Sequence, residues 1–180
     1  MASHLLIFLI LIILFFFLLL SFCFLLMALF ALFGASFIPT PLKEIKRMLE
    51  VLQLKPGEIF YDLGSGDGRI VIEAAKNYKV KAIGIEINPI LVFLSRLKIK
   101  KLGLEKNIQI HWGNFFQKDI SQADAISTYL FQSTNNLLEK KFLLELKPKT
   151  RIVSSVFHFK NLPYLKSHPE NSRIKLYQIP

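Results

Sequence analysis

The chain has 180 residues, 52% of them hydrophobic, and carries a formal net charge of +10. That length accommodates one domain, or one domain with an anchor. A single cysteine, Cys23, excludes an intrachain disulfide and a cysteine-based metal site, and His4, His111, His158 and His168 lack ligand spacing, so no metal is expected.

The average composition hides a sharp division. Residues 5–33 carry no charged side chain, and only Ser21 and Cys23 interrupt the apolar run; every Lys, Arg, Asp and Glu lies beyond Leu42. About 20 apolar residues suffice to cross a bilayer, so this run reads as one transmembrane helix, tilted or emerging at one end. The alternative is a cleaved signal peptide, for which Gly34, Ala35 and Ser36 would suit the cleavage site. The run is longer than the usual apolar core of about 7–15 residues, and no Lys or Arg precedes it. Lys43, Lys46 and Arg47 follow the span, which puts the remainder on the cytoplasmic side or its organellar equivalent. The expected organisation is an anchor over residues 1–36, meeting membrane lipid through residues 5–33, and a domain over residues 37–180. The basic excess suits a domain beside anionic lipid. The lysines are scattered rather than clustered, so nucleic acid is not expected as a partner.

Pro39-Thr40-Pro41 ends the span. Thr40 can cap a new helix with Pro41 at its first position, and Leu42, Ile45, Met48, Leu49 and Leu52 share one face of it. Lys55-Pro56-Gly57 is a turn. Strands are predicted at residues 59–63, 80–87, 107–112, 123–130, 150–159 and 173–179. Helices are predicted at about 68–78, 88–102, where Asn88-Pro89 is a strong start, and 133–146. Gly103 suits the left-handed position after the second of these. Strands alternating with helices of this length imply a mainly parallel α/β sheet, whose ligands bind at the carboxyl ends of the strands.

The first such end is "YDLGSGDGRI". A P-loop needs a lysine after its last glycine, and a dinucleotide loop needs the spacing G-x-G-x-x-G. Here Gly64, Gly66 and Gly68 alternate, Arg69 follows, and Asp62 and Asp67 bracket the bend. Carboxylates repel a pyrophosphate and suit a ligand with sulfonium and ammonium groups, which S-adenosylmethionine has; Asp67 can equally cap the next helix. Glu86, about 20 residues further on at the end of the second strand, can accept from a ribose diol, a feature that by itself fits either cofactor. Asn114 and Phe115, after the third strand, can meet an adenine edge and face; Asn114 is also an ordinary loop former. Tyr129, at the end of the fourth strand, is a candidate to orient a nucleophile, with a rim aromatic as the other reading.

The stretches "FIPTPLKEIKRMLEVLQLKPGEIFYDLGSGDGRIVIEAA", "IGIEINPILVFLSR" and "LLELKPKTRIVSSVF" resemble the small membrane-anchored protein-lysine methyltransferases. These are the class I S-adenosylmethionine-dependent enzymes that include those acting on the ATP synthase c-subunit and the adenine nucleotide translocase. The resemblance covers about residues 37 to 180. It implies the Rossmann-like, mainly parallel sheet of class I methyltransferases, an N-terminal transmembrane helix, S-adenosylmethionine as cofactor and lysine of a membrane protein as substrate. By motif position, Asp62, Gly64, Gly66 and Gly68 become the cofactor loop and Glu86 the ribose ligand. Asn114 stands where the family more usually has Asp at the adenine, and Pro39-Thr40-Pro41 matches a segment that helps close the site. Gln132-Ser133 departs from the proline-containing motif expected after the fourth strand. Two other functions share these residues: methyl transfer to a membrane-soluble small molecule such as a quinone or lipid headgroup, and non-catalytic cofactor binding.

Overall fold

The computed structural model describes residues 2–33 and 38–180. The chain divides into two units, one containing helix α1 (Ala2–Phe33) and the other comprising Ile38–Pro180. The expected domain boundary at residues 36/37 and the Gly34-Ala35-Ser36 segment lie outside the described residues.

In α1, Leu6–Leu25 is a stretch of 20 residues with its side chains exposed. At a rise of about 1.5 Å per residue it reaches the thickness of a hydrocarbon core. The helix is apolar on all sides, which a helix facing water is not. Length and composition make it a candidate membrane span, as they would also make a signal sequence.

The second unit begins with α2 (Leu42–Leu52), which buries Ile45, Met48, Leu49, Val51 and Leu52. The cap is one residue later than expected. Pro41 occupies it without a side-chain hydrogen bond, and its carbonyl accepts from Ile45 N–H at 3.0 Å. Thr40 is buried ahead of the helix, and its carbonyl accepts from Arg69 instead.

The remaining elements are β1 (Ile59–Leu63), α3 (Arg69–Tyr78), β2 (Lys81–Glu86), α4 (Pro89–Lys101), β3 (Ile108–Trp112), β4 (Ala125–Thr128), α5 (Gln132–Glu145), β5 (Arg151–Ser155), β6 (Tyr164–His168) and β7 (Asn171–Gln178). The strands form one 7-stranded sheet in the order β3-β2-β1-β4-β5-β7-β6. Pairing from β3 to β5 is parallel, and β7 runs antiparallel to both β5 and β6. The order reverses at β1, which pairs with β2 on one side and β4 on the other.

Alternation along β1 separates two cores. Phe60 joins the cluster formed with α2, α3 and α4, through Leu49, Val71 and Val92. Tyr61 and Leu63 join the cluster formed with Leu138 and Phe142 of α5. Asn88 starts α4 as expected: its Oδ1 accepts from Ile90 and Leu91 N–H, with Pro89 at the first position. Gly103 takes the left-handed conformation after α4, at φ 66°.

Two strand predictions need correction. β5 stops at Ser155 rather than Phe159, because Val156 adopts φ 68° and leaves the extended region. β6 was not predicted. It is an edge strand, exposed over Tyr164, Leu165 and Lys166, so it lacks the buried alternation that marks a strand in sequence.

Phe60 is fully buried. Phe60→Ala should cost about 3–5 kcal/mol, seen as a lower urea midpoint with an unchanged denaturant slope.

Candidate functional site

Four chain segments converge at the carboxyl ends of β1 to β4. The glycine bend after β1 turns back over β2, as Gly64 and Ser65 N–H both donate to the Ile85 carbonyl, at 2.9 and 3.1 Å. Gly64, Gly66 and Gly68 all have positive φ, at 80°, 54° and 77°. A run of left-handed residues this dense needs glycine. Gly64 also lies against the segment after β4: a Cβ there would sit 3.0 Å from Leu130 Cδ2.

Glu86 ends β2 and is buried. Its Oε2 accepts from Gly66 N–H and its Oε1 from Asn88 N–H, each at 2.8 Å. It is therefore no loose strand-end charge. A carboxylate offers about four lone-pair directions, so each oxygen keeps capacity for a further donor.

Asp62 lies beneath the bend, fully desolvated. Ser127, its register partner on β4, donates to Oδ1 at 2.6 Å, and Oδ2 finds no partner among the described residues. Burial pushes the Asp62 carboxyl up to about 7; the Ser127 hydrogen bond works against this, and the charges of Glu86 and Asp67 add to it. Ser65 Oγ is a second buried polar atom without a partner among the described residues.

Asp67 behaves differently from Asp62. Its carboxylate accepts from Arg69 Nε at 2.8 Å and Nη2 at 3.0 Å and pairs with Lys98 at 3.4 Å. Burial alone would raise its pKa, but the Arg69 hydrogen bonds and the Lys98 and Arg69 charges outweigh it and hold the carboxyl below its ordinary value. Its charge is thus engaged within the protein; Asp67 Oδ1 also accepts from Arg69 N–H at 3.3 Å, while the cap position of α3 itself is Gly68. Arg69 also donates through Nη1 to the Thr40 carbonyl at 3.0 Å, tying Pro39-Thr40-Pro41 to the bend.

After β3, Asn114 Oδ1 accepts from Phe116 N–H at 2.9 Å and starts a short 3-10 helix, Phe115–Gln117. The turn-forming role is real, and it leaves the amide NH2 unused by that bond. Phe115 and Phe116 pack with ring centroids 4.8 Å apart. Tyr129 lies just past the end of β4, half-buried, rather than within the strand. Gln132 opens α5. Its amide accepts from His158 N–H and donates to the His158 carbonyl, at 3.2 and 2.7 Å, which fixes the segment after β5.

Sequence reasoning missed Ser127, Gly84 and the reach of Arg69. A Cβ on Gly84 would meet Ser65 Oγ at 2.6 Å and Ile110 Cδ1 at 2.7 Å. Gly84 is thus where the bend lies flat on β2, and a glycine inside a predicted strand is the available signal for such close approach.

A family profile described as the ANTKMT methyltransferase domain matches residues 62–166. A protein-lysine N-methyltransferase from Saccharolobus islandicus (strain REY15A) is 43% identical over 125 residues, covering 69% of this chain and 78% of the relative. The ATP synthase c-subunit lysine N-methyltransferase of Xenopus laevis is 32% identical over 125 residues, covering 69% of this chain; the match spans 54% of that relative, about half its length. Among solved structures, an RNA methyltransferase from Salinibacter ruber in complex with S-adenosyl-L-homocysteine shares 36% identity and superposes with TM-score 0.74, over 79% of this chain and 94% of that one.

A carboxyl whose pKa is raised by folding binds its proton more tightly folded than unfolded. The Asp62 contribution to the stability of the ligand-free chain should therefore be lost as pH rises from about 4 to about 7, an amount on the order of a few kcal/mol. Asp62→Asn should be the more stable protein above about pH 7, with the advantage vanishing near about pH 4. Denaturation midpoints of the two proteins across that range measure it.

Proposed function

The chain belongs to the ANTKMT methyltransferase family of S-adenosylmethionine-dependent protein-lysine methyltransferases, and from that premise we propose that α1 holds it on a membrane while the domain methylates lysine in a protein at that membrane. The observation that supports the cofactor's place best is the pair of buried acids at the glycine bend, Asp62 with one oxygen unpartnered among the described residues and Glu86 with acceptor capacity to spare. Asp62 suits an ammonium group and Glu86 a ribose diol, while a pyrophosphate at the bend would meet two carboxylates. The residues present thus fit S-adenosylmethionine. Asn114 and Phe115 are then the adenine neighbours, and Gly64, Gly66 and Gly68 let the backbone approach the ligand closely.

When bound, the cofactor supplies a methyl group on a positively charged sulfur, an electrophile for a neutral amine. The chain's own task is alignment of that amine, which provides much of the barrier reduction in a displacement of this kind. The lysine must first lose its proton, and a desolvated entry lowers its pKa. Tyr129 is our candidate for orienting the amine. It follows the end of β4 and precedes Leu130, whose Cδ2 lies 3.0 Å from where a Cβ on Gly64 would be.

The membrane reading draws on α1 and on the Xenopus laevis relative, which is named for the ATP synthase c-subunit. Lys43, Lys46 and Arg47 after the span favour a cytoplasmic or organelle-equivalent domain, and we divide the chain into an anchor, 1–36, and a catalytic domain, 37–180. The similarity to the Salinibacter ruber RNA methyltransferase supports RNA as a second acceptor class. One experiment separates these. The full chain is incubated with cofactor labelled in its methyl group and membranes of its own cell, and the label is located by mass spectrometry. Label on lysine is the expected result; label on RNA or in the lipid extract overturns the assignment.

Glu86→Gln replaces one carboxylate oxygen by a donor facing backbone N–H groups. Its affinity for S-adenosylhomocysteine should fall by about 1.5–3 kcal/mol, the worth of a hydrogen bond to a charged group, as read by titration calorimetry.

A further inference from the structure

Helix α4 buries Val92, Ser95 and Ile99 against the sheet. The opposite side should be its polar face. It instead carries Ile90, Phe93, Leu94 and Leu97, spaced i, i+3, i+4 and i+7 and exposed by 47%, 61%, 49% and 50%. Lys98, which also pairs with Asp67, and Lys100 flank the stripe on its two sides, and Lys101 closes it at the C-terminal end. Ile87 and Trp112 extend it at the other end: both are exposed, and the Trp112 indole donates to the Ile87 carbonyl at 3.0 Å. Contiguous apolar surface on this scale marks a contact site. An apolar helical face edged by lysines, with a tryptophan at its border, has the chemistry of a surface that lies in the interface of an anionic bilayer.

We infer that the outer face of α4 is a lipid-docking surface, which seats the domain on the anionic membrane that α1 enters. The choice of lipid over a second copy of the chain rests on the lysine edging, on the net charge of +10 and on the proposed anchoring of the same chain. Docking has a consequence for the site. The start of α4 is tied to the bend through Glu86, and the helix returns the chain from β2 to β3, running alongside the strands. A domain resting on the stripe therefore opens its site along the bilayer surface, where a lysine at the edge of a membrane protein is presented.

Trp112 is the only tryptophan in the chain and so reports on the stripe directly. The full chain is reconstituted in vesicles of brominated phosphatidylcholine, with and without phosphatidylserine, and compared with unbrominated vesicles. With phosphatidylserine present, an interfacial seat about 5–10 Å deep should lower Trp112 emission by roughly half. The double variant Phe93→Ser/Leu97→Ser should recover the emission while still floating with the vesicles. Lys100→Glu/Lys101→Glu should make quenching insensitive to phosphatidylserine. Unquenched Trp112 on a chain that floats overturns the inference. So does unquenched emission accompanied by a dimer that Phe93→Ser/Leu97→Ser dissociates in sedimentation, which assigns the stripe to a second copy. Flotation in phosphatidylcholine alone tests α1 separately: its loss, with quenching retained on anionic vesicles, removes the anchor and keeps the docking face.

Discussion

The buried carboxylate of Glu86 is the constraint on which the site depends. A charge taken out of water is tolerated only when hydrogen bonds replace its hydration, and Glu86 obtains two from backbone N–H groups on either side of it. One belongs to Gly66 in the bend, the other to Asn88 at the start of α4. The same group thereby fixes how far the bend reaches over β2 and where the next helix begins. Without it, two N–H donors and the curvature of a glycine-rich loop would lack a partner at once.

Around that anchor the acids have divided roles. Asp67 is neutralised within the protein by Arg69 and Lys98, which ties the bend to α4 and to the segment ahead of α2. Among the described residues Asp62 has one hydroxyl partner and one unpartnered oxygen, and its carboxyl is pushed up to about 7. An unsatisfied buried group of this kind costs stability in the free protein and is relieved by a cation brought to it. The division explains how a chain of strongly basic composition presents an acidic cradle: the basic side chains near the bend are engaged outward, on Asp67 and on the Thr40 carbonyl.

The far half of the sheet serves a different purpose. The β6–β7 hairpin is held against α2 by Arg47 with Glu170 and by His168 with Glu50 at 3.2 Å, and the neighbouring β5 is held there by Ser155 with Glu44. Gln132 and Asn135 of α5 bind the loop after β5 through the His158 and Phe157 carbonyls. The segments that border the site beyond β4 are therefore held by side chains rather than by strand pairing, which suits a region whose backbone leaves the extended form at Val156.

The sequence alone determined the features that rest on local chemistry. The uncharged run of residues 5–33, the alternating glycines, Asn88-Pro89 as a helix start and the strand–helix alternation each follow from residue type and near-neighbour spacing. Glu86 was legible because strand length fixes where β2 ends. Tertiary structure alone decided which polar groups meet. Ser127 faces Asp62 through a strand register linking residues 65 apart, Gly84 is required by a bend that folds back onto it, and Asp67 is engaged by Lys98 from another helix. It also decided that the outer stripe of α4 is apolar, since a helix hydrophobic on several sides does not itself declare which side the sheet covers. Local propensity carries no record of such pairings, because they depend on the order in which the strands assemble.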